Sequence, residues 1–226
     1  MKPVADETVW TIVVAGGSGS RFGAPKQYER IGDERMLDRS VAVAVAASAG
    51  VVVVVPAVDV DRERAAVAAG SGAGCVVVVA GGATRSESVR AGLAAVPTSA
   101  TVVCVHDAAR PFAGVDTFAA VVAAVADGAD GAIPGVPVTD TIKVVDGAGV
   151  VTATPERASL VAVQTPQAFR ADMLRRAHDA GGEGTDDAAL VEALGGRVVV
   201  VPGHARNRKI THPDDLAWAR AEVGSA

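Results

Sequence analysis

The chain has 226 residues, half of them hydrophobic and only 3% aromatic, with a net charge of −5. That length suits a single α/β domain, 1–226, whose core is built from Val, Ala, Leu and Ile. An acidic balance without a long basic run excludes nucleic acid as the main partner. Cys75 and Cys104 both sit in valine-rich segments. They read as small buried hydrophobes of a reducing, cytoplasmic compartment, and not as a disulfide framework or a metal site. The start MKPVADETVW lacks the apolar run of a signal peptide. Ser40–Val58 is uncharged over 19 residues, yet it is split by Gly50 and contains Pro56. It reads as a helix followed by a buried strand, with no membrane partner.

Strand and helix patterns alternate along the chain. Strands are predicted over Trp10–Val14, Val51–Pro56, Cys75–Ala80, Thr101–His106, Gly131–Pro137 and Arg197–Pro202. Helices are predicted over Met36–Ala49, Val60–Ala69, Ser86–Ala95, Val115–Ala126, Ala171–Ala180, Asp186–Leu194 and Pro213–Val223. Continuous apolar strands mark a sheet buried on both faces, and the alternation marks βαβ units. The expected fold is α/β with a doubly wound, mostly parallel sheet. Residues 138–163 break the rhythm. Two short β-prone runs, Thr141–Val145 and Val150–Thr152, flank Asp146-Gly147-Ala148-Gly149, a hairpin signal. This insertion reads either as an edge ribbon or as a projecting arm for a partner subunit.

The strongest chemical signal is VVAGGSGSRFGAPKQY, Val13–Tyr28. A strand runs into a glycine-rich loop bearing Arg21 and Lys26. Glycines leave backbone N–H groups uncovered for phosphate oxygens, and the two cations add fixed charge. The spacing is neither a Walker A loop nor a dinucleotide fingerprint. Gly23 is followed by Ala24 and Pro25 before Lys26, and Phe22 stands where the third fingerprint glycine should fall.

Three further polar clusters follow predicted strands, where open α/β sheets bind ligands. In Gly81–Ser88, Arg85 and Ser88 lie one helical turn apart and can face one ligand. In His106–Pro111, Asp107 suits Mg²⁺, which takes one or two carboxylates with phosphate oxygens. The blander readings, a helix cap or a salt bridge to Arg110, stand second to it, while His106 reads as structural. In Asn207–Asp215, Lys209 is a second cation for a phosphate. Thr185-Asp186-Asp187 reads as a helix cap, with an acidic contribution to the site open beside it.

Taken in order, these motifs resemble the 2-C-methyl-D-erythritol 4-phosphate cytidylyltransferases of the non-mevalonate isoprenoid pathway. The resemblance runs through VVAGGSGSRFGAPKQY, GGATRSESV, VHDAARPF, PVTDTIK, TPERASLVAVQTPQAF, GTDDAALVE and NRKITHPDDL. It implies a Rossmann-like nucleotidyltransferase fold and transfer of CMP from CTP to a polyol phosphate. Arg21 and Lys26 would stabilise the transition state at the α-phosphate. Ala15, Gly16, Gly17, Ser18, Gly19 and Ala108 would contact the nucleotide, and Gly82, Arg85 and Ser88 its cytosine side. Asp107 would hold Mg²⁺. Thr141, Arg157, Lys209 and Arg110 would bind the sugar phosphate. The hairpin would be the arm of a homodimer, with Thr141 and Arg157 serving the neighbouring subunit. The Val14-Ala15-Gly16-Gly17 start departs from the PAAG common in that family and is also found in ribitol-5-phosphate cytidylyltransferases, which keeps ribitol 5-phosphate open as the acceptor.

Overall fold

The computed structural model describes residues 7–17, 22, 25–69 and 75–224. Six strands run in one direction: β1 (Val9–Val14), β4 (Gly50–Val55), β5 (Cys75–Ala80), β6 (Val102–Asp107), β7 (Gly131–Pro137) and β12 (Val198–Pro202). β1 lies between β4 and β6, and β5 flanks β4. Nearly all of these strands are runs of valine, whose branched side chains suit a pleated surface packed on both sides. One face is covered by α1 (Met36–Ala47), α2 (Val60–Ala69) and α4 (Val115–Ala126), through Leu37, Ala44, Val60, Phe118 and Val121. The other is covered by α3 (Arg85–Ala95), α5 (Ala171–Asp179) and α6 (Asp187–Ala193), through Val89, Leu93, Leu174 and Val191. α7 (Pro213–Gly224) closes a third cluster, in which Leu216 and Ala219 pack on Ile31, Met36 and Ile210.

Successive strands progress from β1 to β4 and β5, then return across β1 to β6. The crevice above the carboxyl ends of β1 and β6 is therefore the switch point of the sheet, where such folds bind ligands. Gly92 brings α3 down onto β1 here. A Cβ at that position would stand 2.6 Å from an Ile12 methyl carbon.

Two parts of the sheet differ from the sequence expectation. β10 (Val161–Val163) and β11 (Gln167–Arg170) are antiparallel strands along one side of β7, and β11 also pairs with β6. β11 fills the gap between β6 and β7, so the sheet is mixed around a parallel core. A small ribbon, β2 (Arg30–Ile31) with β3 (Glu34–Arg35), turns at Gly32, whose φ is +65°. Cys104 is buried as expected, but Cys75 is exposed, because β5 is the edge of the sheet and Cys75 its first residue. The predicted hairpin is present as β8 (Val144–Val145) and β9 (Val151–Ala153), a two-stranded sheet of its own. Asp146 fixes its turn by accepting from the backbone N–H groups of Ala148 and Val150, both at 2.9 Å. Among the described residues no helix is long and apolar enough to cross a membrane.

His106, fully buried in β6, packs its ring on Phe118 with centroids 5.5 Å apart, and its Nδ1 lies 3.0 Å from Thr165 Oγ1. Burial pushes its imidazole down to about 4, with Arg110 adding to the effect and Asp107 opposing it. An unfolded chain protonates this ring near pH ~6.5. Between those values the unfolded state binds the extra proton, so stability falls as pH drops through that window, by about 1.4 kcal/mol per unit. His106→Gln is expected to flatten the acid slope of the urea midpoint between those pH values; an unchanged slope refutes the assignment.

Candidate active site

The carboxyl ends of β1, β5 and β6 open into a cleft of about 500 Å³. Its floor is the backbone of Ala15, Gly16 and Gly17, continuing β1. One wall is Gly82–Arg85 with Ser88 at the start of α3; the other carries Asp107, Ala108, Ala109 and Lys209. Lys26, Gln27, Phe22 and Met36 complete the described lining together with Val14. The floor is stitched to its neighbours, since Ala15 N–H donates to Val54 O at 2.8 Å and Ala108 N–H to Val14 O at 3.0 Å.

The α3 wall is shaped by a capping box. Thr84 Oγ1 accepts from Glu87 N–H at 3.1 Å, and the Glu87 carboxylate reaches back to the Thr84 N–H at 3.2 Å. Gly82 makes room for that carboxylate: a Cβ there would lie 2.3 Å from Glu87 Cβ. Ser88 Oγ donates to Thr84 O at 2.9 Å.

Charge concentrates in this cleft although the chain is acidic overall. Its described lining holds Lys26, Arg85 and Lys209 against one carboxylate, Asp107. Lys209 Nζ lies 2.6 Å from Asp107 Oδ2, and Arg85 Nε 3.3 Å from Oδ1. Burial alone would raise the Asp107 carboxyl, but Arg85 and Lys209 hold it well below the usual carboxylate range. Lys26 follows Pro25 into a short 3₁₀ turn, Lys26–Tyr28, and its Nζ donates to Ile210 O at 2.6 Å. Tyr28 anchors the same turn to the opposite side, donating to Asp59 Oδ2 at 2.8 Å. Ile210 is itself fixed by its N–H to Ala109 O at 2.8 Å. Both lysines are therefore held around one short segment after β12.

Most of the expected site residues meet here: Ala15, Gly16, Gly17, Lys26, Gly82, Arg85, Ser88, Asp107, Ala108 and Lys209 all line the cleft. Arg21, Ser18 and Gly19 lie outside the described residues. Arg110 stands apart from the cleft lining and makes no Asp107 salt bridge within hydrogen-bond reach. Its guanidinium donates to Asn207 O at 2.8 Å and Val163 O at 3.0 Å, which locks the Lys209 segment to β10. Thr141 and Arg157 also stand away from the cleft lining. Both are exposed on the hairpin side, where Arg157 donates to Thr139 O at 2.8 Å.

Two supporting residues lie within the quoted motifs but were not expected as site residues. Thr165 Oγ1 accepts from Asp107 N–H at 3.0 Å, and buried Asn207 donates to Thr165 O at 2.9 Å. Asp186 caps α6, accepting from Ala189 N–H at 3.0 Å, as expected. Asp187 does what the cap reading left open: its Oδ2 pairs with Arg85 at 2.8 Å.

Among the described residues no group of three or more His, Cys, Asp or Glu side chains is placed to hold a metal. A single ionised carboxylate facing a polyphosphate-sized cleft nonetheless fits Mg²⁺, which takes most of its ligands from phosphate and water. Asp107 is that carboxylate.

Residues 9–225 match the family described as IspD, 2-C-methyl-D-erythritol 4-phosphate cytidylyltransferase. A protein of that name from Rhodococcus jostii is 48% identical over 218 residues, covering 95% of each chain. Another from Streptomyces avermitilis is 54% identical over 152 residues, covering 64% of this chain and 61% of its own length. This chain thus spans less than two thirds of the Streptomyces relative. The crystal structure of 4-diphosphocytidyl-2C-methyl-D-erythritol synthase from Anaerococcus prevotii superposes with a TM-score of 0.85 at 27% identity, covering 97% of this chain and 99% of that one. With its cleft at the switch point and its motifs lining it, the chain belongs to the 2-C-methyl-D-erythritol 4-phosphate cytidylyltransferase family.

Proposed function

We propose that this chain transfers CMP from CTP to 2-C-methyl-D-erythritol 4-phosphate, releasing pyrophosphate and forming 4-diphosphocytidyl-2-C-methyl-D-erythritol. The observation that carries the reading is the meeting of Lys26, Arg85 and Lys209 with one ionised carboxylate over a glycine floor, in a chain of this family. An acceptor phosphate oxygen attacks the α-phosphorus, and the bond to the bridging oxygen breaks as pyrophosphate leaves with the electron pair. The second pKa of a phosphate monoester is about 6, so the nucleophile is already anionic near neutral pH. No general base is required, and His106 is too deeply buried to serve as one.

What remains difficult is repulsion between polyanions and charge growth at the reacting phosphorus. Lys26, with Arg21, meets that charge, and the exposed N–H groups of Gly16 and Gly17 add fixed dipoles. Gly82, Arg85 and Ser88 hold the base side. Asp107 would hold Mg²⁺, which when bound would neutralise part of the triphosphate charge. Lys209 receives the acceptor phosphate.

Residues 138–163 form the arm of a homodimer in this reading, carrying Thr141 and Arg157 to the neighbouring cleft. Ile142, Val144, Val145, Val150 and Val151 are exposed on it, an apolar surface that a second copy would cover. Both cysteines are free thiols, which suits the cytoplasm.

Pyrophosphate release from CTP tests the acceptor directly. Turnover is expected with methylerythritol phosphate and little with ribitol 5-phosphate; the reverse preference sinks the assignment. Mixing Arg157→Ala with Arg21→Ala chains is expected to restore part of the lost activity, since one intact cleft forms per mixed dimer. No recovery in verified mixed dimers refutes the crossing arm.

A further inference from the structure

The cleft is wired to the protein interior by alternating charges. Lys209 pairs with Asp107 at 2.6 Å, Asp107 with Arg85 at 3.3 Å, Arg85 with Asp187 at 2.8 Å, and Asp187 Oδ1 with His178 Nε2 at 3.0 Å. The last two members lie on α6 and α5, under the sheet face, with side chains 1% and 2% exposed. Among the described residues, Arg85 is the member of the cleft lining with which Asp187 forms an ion pair.

We infer that Asp187, steadied by His178, is the positioning residue that fixes the Arg85 guanidinium for nucleotide binding. This inference rests on reading the cleft as a CTP site. Arg85 is gripped from two sides, Nε toward Asp107 and one terminal nitrogen toward Asp187. A planar guanidinium held at two of its donors has a set plane, and a long flexible side chain held at one has not. The two grips are unequal in what they can survive. Asp107 also carries Lys209 and faces the cleft, so it must share its oxygens with whatever enters. Among the described residues Asp187 is absent from the cleft lining and pairs with one arginine, Arg85. It keeps Arg85 neutralised and in place while Asp107 changes partners. His178 holds the remaining Asp187 oxygen, so the carboxylate cannot swing away from Arg85.

The test is CTP binding by titration calorimetry with magnesium present, on the full chain, alongside pyrophosphate release. Asp187→Asn is expected to weaken CTP binding by about tenfold, the lower end of what losing an outer-shell partner costs, with the acceptor KM unmoved. Arg85→Gln is expected to weaken CTP binding as well. The double variant should be no worse than Arg85→Gln alone, because Asp187 acts only through Arg85. A folded Asp187→Asn protein with wild-type CTP affinity, or a double variant showing the product of the two losses, overturns the proposal. If Asp187→Asn does not fold, His178→Leu decides: weaker CTP binding with an unmoved acceptor KM supports the proposal, and wild-type affinity overturns it. A wild-type chain that binds CTP but releases no pyrophosphate with methylerythritol phosphate overturns the reaction instead, and the calorimetric comparison still decides Asp187.

Discussion

Lys26→Ala is expected to lower kcat by about 10²–10³-fold, the usual loss for one positioned donor at a developing charge, while CTP affinity changes far less. The expectation follows from where the ammonium is held. Pro25 and the 3₁₀ turn behind it fix the stem, Tyr28 ties the turn to Asp59, and Ile210 O holds the charged end in the cleft lining. A cation so constrained is preorganised for charge that grows during reaction, and contributes less to a substrate that many other groups already bind. Steady-state kinetics with both substrates varied separates the two. A normal kcat with only a raised KM for CTP would remove Lys26 from the transition state and leave it a binding residue.

Asp107→Asn should give the second large effect: a magnesium titration shifted to higher concentration, with loss of activity at fixed metal. The neutral amide removes the one carboxylate among the described cleft lining and leaves Arg85 and Lys209 facing each other without it. An unchanged magnesium titration sinks the metal assignment. The same substitution carries a stability signature. Because the Asp107 carboxyl is held below its ordinary range, its contribution is present above the unfolded carboxylate value of about 4 and is lost as pH falls through the depressed value. Acid unfolding of Asp107→Asn, followed by circular dichroism, is expected to lose that portion of its pH dependence.

The parallel core was legible because most of its strands are short valine runs and most are followed by a helix, a pattern with few other solutions. The cleft was legible because its polar clusters all fall directly after those strands. What stayed hidden has physical reasons. Val161–Val163 and Gln167–Arg170 are only three and four residues long and are separated by Pro166, so neither shows a period. Their antiparallel direction is set by the return from the hairpin, a tertiary fact. Arg110 carries the same charge as Arg85 and sits far closer in sequence to Asp107, yet its donors go to backbone carbonyls. Residue type reveals a cation and says nothing of which way it turns. Asp187 is the converse case: beside a good N-cap it looked like helix chemistry, and its partner Arg85 is a hundred residues away. Cys75 was read from its valine neighbours, which cannot show that a strand is the last in its sheet.

The hairpin leaves the sheet after Pro137 and returns at Val161, and these two residues are register partners in adjacent strands. Its two roots are therefore only about 5 Å apart, the spacing between paired strands. The sheet closes beneath it whatever lies beyond. Because the closure penalty grows only slowly with loop length, residues between the roots can be lengthened, shortened or exchanged without re-registering the strands that build the cleft. The fold thus separates two evolutionary problems: how the reacting phosphate is handled is written into the sheet, and what the chain reaches for beyond its own boundary is written into a segment that is free to vary.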